Sequence, residues 1–222
     1  MISTNAYFRT FFVKAGGYGT AFTVDVEGDE YLVTARHLIA DATTPLRIEI
    51  FFSQKWLSTT ANLVGLGKGD VDIAVLRLPV RLTAPEFRMT LAVGDFFPGQ
   101  DVYFLGFPYK MWGDMGEIFQ GRPCAFAKKG TISFVSTGHT REFYVDAINN
   151  EGFSGGPLFH HPPADPNDIR VLGVVSKFRV EHEPVLTEDG KETKLQVAYN
   201  TGFLVAYGSK HVLDIIAAAR GA

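Results

Sequence analysis

Short apolar runs separated by Gly, Pro and Asp dominate the pattern of hydrophobic and polar positions along the chain. The clearest runs are GTAFTVDV, EYLVTA, LRIEIFF, DIAVLRL, DVYFLGF, GTISFVS, EFYVDAI, VLGVVSKF and GFLVAY. They are rich in β-branched and aromatic residues and recur roughly every ten to twenty residues, with no helical period between them. Because alternating strands and helices would show such a period, the pattern predicts an all-β sandwich or a pair of barrels.

Helical periodicity is convincing only at the end of the chain, in the segment SKHVLDIIAAAR. Its apolar positions, which share one face of a helix, are Val212, Leu213, Ile215, Ile216 and Ala219. Ser209 precedes them and is a residue type that caps helix N-termini. We therefore expect a C-terminal helix docked on the β structure.

A stretch of different composition separates the early runs from the later ones and reads PVRLTAPEFRMTLAVGDFFPG. Its prolines and weak alternation are typical of a connection. We therefore expect an N-terminal β-barrel over residues 1–90 and a C-terminal barrel with the helix over residues 91–222. Segments 109–122 and 179–194 have the composition of long irregular insertions, and such loops are usually functional or disordered.

The bulk composition is that of an ordinary globular protein, with 46% hydrophobic and 20% charged residues. The 21 basic and 24 acidic residues are mixed along the 222-residue chain and give a formal charge of -3, so no basic block indicates nucleic acid. No apolar run approaches the roughly 18 residues that span a bilayer, and the first residues lack a signal-peptide pattern. If Met1 is the natural start, we expect a cytoplasmic protein that binds neither nucleic acid nor membrane.

The sequence also argues against a metal centre. Cys124 is the only cysteine, which excludes an internal disulfide and a cysteine-rich metal site, and its apolar context PCAFA is typical of a small core residue. His160 and His161 lie in a Pro-rich connection without spaced carboxylates to complete a site. We expect no metal and no other cofactor.

Candidate chemistry begins at Ser154, which lies in the string GFSGGP at residues 152–157. Glycines on both sides allow a tight turn in which backbone N–H groups converge on one point. A serine that attacks an acyl carbon needs such donors for the developing oxyanion. The amides of Gly152 and Ser154 are the candidates for that oxyanion hole.

The same string satisfies G-x-S-x-G, the nucleophile elbow of α/β-hydrolases. That elbow requires a helix after the serine and the acid and histidine downstream. Here Pro157 and the run LFHHPPADP follow, which cannot begin a helix over the serine. The acid and the base are therefore expected upstream of Ser154.

Two upstream residues fit these roles. His37 follows the apolar run YLVTAR, and Asp72 opens the run DIAVLRL. Alone, a histidine after a strand is usually a structural residue and an aspartate before a strand is usually a turn residue. Together with Ser154 they stand in the order His, Asp, Ser, which differs from the order in subtilisin and in α/β-hydrolases.

The strings GTAF, TARH, DIAVL, DAINNEGFSGGP, GVVS and TGFLVA together resemble the ordered signature blocks of the trypsin-like peptidases, most closely the HtrA-type branch. The resemblance implies two six-stranded antiparallel β-barrels of the chymotrypsin-like kind, with the C-terminal helix. It also implies His37 as general base, Asp72 as the orienting acid and Ser154 as nucleophile of a serine endopeptidase that forms an acyl-enzyme.

Three features depart from the family pattern. Arg36 replaces the small or amide residue usual before the histidine, and Phe153 replaces the polar residue usual before the serine. HtrA-type proteins carry a C-terminal PDZ domain, whereas this sequence stops after its terminal helix. The resemblance is therefore to the peptidase domain without a PDZ domain.

The resemblance also implies a specificity pocket. Its lining residues are expected to be Ile148, Ser176, Lys177, Phe178 and Gly202. Ile148 stands where trypsin-type enzymes carry the aspartate that binds Arg or Lys, so a basic residue before the cleaved bond is not expected. Phe178 narrows the pocket and Gly202 leaves its wall open, which favours small or medium apolar residues.

Two other functions remain open at this stage. The first is a catalytically silent trypsin-like fold used as a binding or scaffolding module. The second is an esterase that uses the same three residues. The expected partner is a polypeptide substrate, while a regulatory protein partner and the oligomeric state stay undetermined by the sequence.

Overall fold

The computed structural model describes residues 2–40, 45–94 and 96–221, and strands dominate its regular structure. The first half of the chain forms a closed barrel in which strand β1 pairs with both β2 and β4. The order around the barrel is β1-β2-β3-β6-β5-β4, and all pairs are antiparallel. The strands are β1 Thr10–Lys14, β2 Tyr18–Val26, β3 Asp29–Thr34, β4 Leu46–Phe52, β5 Lys55–Leu66 and β6 Ala74–Arg77.

The second half forms a seven-stranded sheet in the order β11-β8-β9-β10-β13-β12-β7. An additional pairing of β11 with β12 closes six of these strands into a ring, and β7 runs parallel to β12 outside that ring. The strands are β7 Thr90–Leu91, β8 Asp101–Gly106, β9 Phe126–Val135, β10 Glu142–Asp146, β11 Pro157–His160, β12 Arg170–Leu186 and β13 Glu192–Gly208. This arrangement confirms the chymotrypsin-like all-β fold.

The predicted C-terminal helix is present as α2, Lys210–Arg220. Val212 and Ile216 are buried, as the apolar stripe requires. Ser209 occupies the N-cap position, but its hydroxyl donates to the carbonyl of Ala92 and makes no capping bond. Ser209 therefore forms a tertiary hydrogen bond instead of capping the helix.

A short helix near the N-terminus was not predicted. Helix α1 spans Thr4–Phe8, and the Ser3 hydroxyl accepts from the amide of Asn5 at 3.3 Å. Five residues are too few for a hydrophobic period to be visible in the sequence. Irregular backbone elsewhere contains 3-10 turns at Arg36–Ile39, Pro108–Lys110 and Gly116–Phe119.

Each barrel has its own core, and a third core lies at their junction. The junction core joins Phe22, Val33 and Val75 of the first barrel to residues of the second barrel such as Phe107 and Val174. Helix α2 contributes to the same cluster. The two barrels therefore bury apolar surface against each other, and the cleft between them is a place where residues from both can meet.

The segment 179–194 is not an irregular insertion. Most of it belongs to β12 and β13, which continue as an antiparallel hairpin to a turn at residues 187–191. The sequence interpretation failed because Pro184 and the density of charges hide the alternation of two exposed strands. The segment 109–122 is mostly irregular. It contains the 3-10 turns at Pro108–Lys110 and Gly116–Phe119 and an isolated bridge between Gly113 and Cys124.

Strand β7 straddles the boundary expected between residues 90 and 91, and that division of the chain remains a prediction. Across the described ranges, no helix is long and apolar enough to cross a membrane.

Candidate active site

His37 lies in the 3-10 turn that follows β3, at the cleft between the barrels. Its backbone N–H donates to Asp72 Oδ1 at 2.9 Å, and its ring Nδ1 lies 2.7 Å from Asp72 Oδ2. Half of the side chain, 51%, is exposed to solvent. With Asp72 ionised, the proton of a neutral imidazole belongs on Nδ1, so the lone pair of Nε2 is directed away from the carboxylate.

Asp72 lies between β5 and β6, at the end of a glycine-rich loop. The guanidinium of Arg36 donates to the carbonyls of Gly67 and Gly69 at 3.1 and 2.9 Å. The unusual Arg36 thus ties the loop that carries Asp72 to the turn that carries His37. A small residue at position 36 could not make these two bonds.

The Asp72 carboxylate is largely buried but well supplied with donors. Besides His37, the hydroxyl of Ser176 donates to Oδ2 at 2.6 Å. Burial by itself raises the pKa of Asp72, but the hydrogen bonds from the His37 ring, the Ser176 hydroxyl and the His37 backbone outweigh it. The pKa of Asp72 therefore lies below its ordinary value, and the carboxylate stays ionised near neutral pH.

Ser154 lies in the turn between β10 and β11, and both barrels hold that turn. Its carbonyl accepts from the Thr20 amide of the first barrel at 2.9 Å, and the Gly155 amide donates to Val175 of the second at 2.7 Å. Gly155 has φ +83°, and a Cβ there would lie 2.0 Å from the Thr20 carbonyl oxygen. Glycine is therefore required for the close approach of this turn to the first barrel.

The structure brings Ser154 to the same cleft as His37 and Asp72, but it does not join the serine to the histidine. The Ser154 hydroxyl donates to the Ser176 carbonyl at 2.7 Å. Within residues 2–40, 45–94 and 96–221, no hydrogen bond connects that hydroxyl to the His37 ring. Ser176 therefore contacts both ends of the constellation, through its hydroxyl and through its carbonyl.

The backbone before Ser154 leaves two amides available. The Glu151 carbonyl accepts from the Tyr109 amide at 2.9 Å, and the Gly152 carbonyl accepts from the Thr20 hydroxyl at 2.7 Å. In a trans peptide the N–H points opposite to the carbonyl, so the Gly152 amide is directed away from Tyr109. Among the described residues, neither the Gly152 nor the Ser154 amide donates a hydrogen bond.

Lys128 and Asn150 brace this loop from the second barrel. The Lys128 ammonium donates to the Ile148 carbonyl at 2.7 Å and to Asn150 Oδ1 at 2.5 Å, while Asn150 Nδ2 donates to the Tyr109 hydroxyl at 3.0 Å. Desolvation by burial lowers the pKa of Lys128. The lysine lies 5.1 Å from the centre of the Phe153 ring.

Phe153 does not enter the oxyanion region. Its side chain is fully buried in the core of the second barrel, where its ring meets Phe104 edge-on at 5.1 Å. Gly106 lies directly beneath it, since a Cβ there would come within 2.5 Å of the ring. The departure from the family pattern at this position is thus a core substitution matched by a neighbouring glycine.

The five pocket residues lie on adjacent segments beside Ser154. Ile148 is 61% exposed, Ser176 is buried, and Lys177 is exposed. Phe178 is half-buried and pairs with Leu204. The segment that contains Gly202 is joined to the segment that contains Ile148 by a hydrogen bond from the Ala147 amide to the Gly202 carbonyl, 2.8 Å long. The assignment of these residues as a specificity pocket stays a prediction.

Three residues contribute to the candidate active site in ways that the sequence did not predict. The sequence predicts Ser176 only as a pocket residue, and nothing in the GVVS string indicates that its hydroxyl bonds to Asp72. Thr20 supports the oxyanion loop from the first barrel, and its place within the GTAF string was the only hint. The sequence does not single out Lys128, because no local pattern links it to Asn150.

The remaining candidates behave as structural residues. His160 is buried on β11, and Cys124 is partly buried, with a thiol pKa raised by desolvation. Ser154 is followed by strand β11 and not by a helix, as expected when the α/β-hydrolase elbow was rejected. In the described part of the chain, no group of three or more His, Cys, Asp and Glu residues is arranged to hold a metal ion.

Comparison with known proteins gives a consistent result. Residues 19–162 match the family described as the trypsin-like peptidase domain. No curated relative matches the sequence. The matched range contains all three candidate catalytic positions, most of the first barrel and strands β8 to β11 of the second.

Solved structures of similar fold include proteases of low sequence identity. The inactive form of the Rv3671c protease, from M. tuberculosis, superimposes with a TM-score of 0.62 at 19% identity, covering 97% of this chain and 91% of that one. The HtrA-type protease AlgW with a tripeptide gives 0.61 at 21% identity, covering 97% and 61%. A serine endoprotease from Yersinia pestis gives 0.59 at 20% identity, covering 97% and 64%. These likenesses concern the fold.

Proposed function

Because the chain belongs to the trypsin-like peptidase family, we propose that it is a serine endopeptidase with Ser154 as nucleophile, His37 as general base and Asp72 as orienting acid. The observation that carries the proposal is the bond between His37 Nδ1 and the ionised Asp72, 2.7 Å long, at the cleft where Ser154 lies. A serine hydroxyl is too weakly acidic to attack an amide at neutral pH without a base.

In the proposed reaction, the Ser154 hydroxyl leaves the Ser176 carbonyl and turns to His37 Nε2. It gives its proton to that nitrogen while its oxygen bonds to the substrate carbonyl carbon. Asp72 stabilises the imidazolium that results. The imidazolium then protonates the leaving amine as the C–N bond breaks, and a water molecule activated by His37 hydrolyses the acyl-enzyme and releases Ser154.

The oxyanion formed in each half of the reaction needs donors that are already oriented. The Gly152 and Ser154 amides are proposed for this role, because neither donates a hydrogen bond among the described residues and the Glu151 carbonyl is held by Tyr109. Preorganised donors of this kind contribute about 3–4 kcal/mol each to the transition state. No metal or organic cofactor takes part in these steps.

We further propose cleavage after small or medium apolar residues. Ile148 offers no carboxylate to a cationic side chain, and the Lys128 ammonium bonded to the Ile148 carbonyl adds a repulsive charge nearby. Phe178 and Gly202 shape the remaining walls. An apolar pocket discriminates by only about 1–3 kcal/mol per methylene, so the preference is expected to be graded.

Two experiments test this proposal. A fluorophosphonate should label wild-type protein and fail to label Ser154→Ala, and a denatured proteome digested by wild type should be cut mainly after apolar residues. Labelling of both proteins would refute Ser154 as nucleophile. A majority of cuts after Arg or Lys would refute the pocket assignment while leaving the triad intact.

The alternative is a catalytically silent fold used as a binding module. The bond from the Ser154 hydroxyl to the Ser176 carbonyl favours it, because a serine held there is not engaged with its base. A folded wild-type protein that neither reacts with fluorophosphonate nor cleaves any peptide supports this alternative. Labelling together with hydrolysis of esters but of no peptide indicates an esterase.

A further inference from the structure

The first barrel is open at one end of the contact between β1 and β4. The two strands pair no further towards this end than Val13 with Ile50. Strand β1 nevertheless begins earlier, at Thr10, and β4 continues further, to Phe52. Among the described residues, no backbone pairing joins these two strand ends. We call this opening, between residues 10–12 and 51–52, the open seam.

A cavity of about 280 Å³ lies at the open seam. It reaches the core of the first barrel, because the buried residues Phe11 and Ile50 belong to that core and line the cavity. Its rim is also apolar, since Phe52, Leu57 and Val80 line it and are exposed. Of the described residues that line it, none belongs to the candidate active site. The mouth of a β-barrel is one of the places where small molecules bind.

Arg122 lines the same cavity, and its positive charge has no carboxylate partner. Its guanidinium donates to the carbonyls of Phe8 and Leu82 at 3.1 and 3.0 Å, which leaves other N–H groups of the fork unused. Within the described ranges, it forms no ion pair. Desolvation by burial lowers the pKa of Arg122, so the charge is poorly hydrated. A desolvated charge of this kind is stabilised by an anion.

The carboxylates nearest to this arginine are already engaged by other guanidinium groups. Asp25 pairs with Arg9 and, at 2.8 Å, with Arg81. Glu30 lies 3.8 Å from Arg9 and 3.9 Å from Arg81, and it also accepts from two backbone amides. Together with Arg122, three guanidinium groups share two carboxylates, so one positive charge stays unmatched.

We propose that the cavity binds an apolar monocarboxylate, that is, a carboxylate group on a hydrocarbon tail. The carboxylate pairs with the planar fork of Arg122, and the tail lies against Phe11, Ile50 and Phe51. A cavity of roughly 150 Å³ holds one benzene molecule, so about 280 Å³ holds a molecule with about twice as many non-hydrogen atoms, such as decanoate. The site is independent of the proposed peptidase function.

The unmatched charge also distinguishes this ligand from other occupants. An uncharged apolar molecule would leave the Arg122 guanidinium without a counterion. A second copy docked symmetrically through the same cavity would bring two unmatched guanidinium groups together. A carboxylate with an apolar tail neutralises the arginine and covers the exposed rim at the same time.

The chain carries its own reporter of occupancy. Both of its tryptophans, Trp56 and Trp112, pack on Phe51, with ring centroids 5.1 Å apart in each pair. Because Phe51 lines the cavity, a bound tail should change the surroundings of both indoles. Titration with decanoate below its critical micelle concentration should therefore give a saturable change in tryptophan fluorescence, and calorimetry should show one site per chain.

A series of ligands separates the head group from the tail. Decanol has the same tail without the charge and should bind at least about tenfold more weakly than decanoate, because it makes no charge-assisted pair with Arg122. Hexanoate keeps the charge but lacks four methylenes, and at about fourfold in affinity per methylene it should bind about a hundredfold more weakly or less. Equal binding of decanol and decanoate, or a signal only above the critical micelle concentration, overturns the inference.

Variants of the protein locate the site. Arg122→Met should weaken decanoate about tenfold and leave decanol unchanged, whereas Arg88→Met, at an exposed arginine outside the cavity, should bind decanoate as wild type does. Circular dichroism verifies the fold, because Arg122 also holds two carbonyls. Leu57→Glu is a second variant at a residue that is 51% exposed, and its carboxylate on the rim should abolish binding of decanoate.

Unchanged affinity for decanoate in both folded variants would show that the ligand binds elsewhere and would overturn the inference. Light scattering on ligand-free protein gives a further outcome. A dimer that Leu57→Glu disrupts would mean that a second copy covers the cavity, and the assignment to a small carboxylate would then be wrong.

Discussion

At the scale of single residues, the candidate active site depends on residues that each form hydrogen bonds to two neighbours. Asp72 accepts from both His37 and Ser176, and Ser176 in turn accepts from Ser154. Such linked contacts mean that removing one atom changes the environment of a neighbour. Substitutions at these positions are therefore expected to have effects that are not additive.

Substitution of the three candidate catalytic residues is expected to abolish turnover without unfolding the protein. Ser154→Ala and His37→Ala should each lower kcat by about four to six orders of magnitude, and Asp72→Asn by about four. Steady-state kinetics on a peptide substrate measures the effect, and far-UV circular dichroism verifies the fold. Losses below about tenfold in all three would contradict the assignment.

Ser176→Ala is expected to destabilise the protein in a pH-dependent way. The pKa of Asp72 is lowered in the folded state, so ionisation of this carboxylate stabilises the fold above its unfolded value of about 3.9, and that stabilisation is lost as pH falls through the folded value. Removing one donor raises the folded pKa and reduces the stabilisation. The loss in unfolding free energy should be about 1 kcal/mol at pH 7 and smaller at pH 2, where more of the Asp72 carboxylate is protonated.

Urea unfolding at both pH values measures this loss. Ser58→Ala, which removes the hydroxyl of an exposed serine on β5, is a suitable control and should show no pH-dependent difference. An equal loss at pH 7 and pH 2 would indicate that Ser176 stabilises the fold by packing and not through Asp72.

At the scale of elements, the oxyanion loop is held by segments distant in sequence. Lys128 on β9 bonds to residues 148 and 150, and Tyr109 after β8 bonds to Glu151 and Asn150. Thr20 on β2 bonds to Gly152 from the first barrel. The orientation of the Gly152 amide is thus set by three separate strands or their ends.

Lys128→Met tests the contribution of this brace to catalysis. The substitution keeps an unbranched side chain but removes the bonds to Ile148 and Asn150, so the loop should lose its fixed orientation. We expect kcat to fall about tenfold with KM nearly unchanged, because the oxyanion develops only in the transition state. Lys129→Met is the matched control, since Lys129 is exposed and paired with Asp101.

Kinetics on one apolar peptide substrate separates the two variants. If Lys128→Met raises KM and leaves kcat unchanged, the lysine contributes to substrate binding and not to the oxyanion loop. Equal losses in Lys128→Met and Lys129→Met would point to a general effect of charge.

At the scale of the whole molecule, the junction core and helix α2 unite the two barrels. Ile215 packs on β5, where a Cβ at Gly65 would lie 2.8 Å from it. Near the end of the helix, Arg220 donates to Asp29 at 2.8 Å and to the Tyr31 hydroxyl at 3.1 Å. The last element of the chain therefore packs against the first barrel.

Phe107→Ala is expected to destabilise both barrels together. Phe107 is fully buried in the junction core and stacks on Phe12 at 4.9 Å. The loss should be about 3–5 kcal/mol, with one cooperative transition, whereas the control Phe97→Ala, 74% exposed, should cost less than about 0.5 kcal/mol. Urea unfolding followed by fluorescence and by circular dichroism measures both. Separate transitions for the two barrels would contradict their energetic coupling.

The sequence by itself determined the all-β class, the C-terminal helix and the identity of the candidate catalytic residues. Strands with one buried face, such as Leu46–Phe52, are apparent because burial of that face requires apolar residues at alternate positions. The motif around Ser154 is apparent because a tight turn needs glycine. Both patterns involve residues that are close together in the sequence, so they can be recognised without knowledge of the fold.

Only the tertiary structure decided the contacts between distant segments. Residues 179–194 have no apolar face to bury, so the exposed hairpin that they form in β12 and β13 is invisible to periodicity, and its strands form because each supplies the other with backbone partners. The second role of Ser176, the brace at Lys128 and the burial of Phe153 each depend on a neighbour more than twenty residues away or on another strand. Hydrogen bonds and side-chain packing are made in space, so their partners cannot be inferred from the order of residues alone.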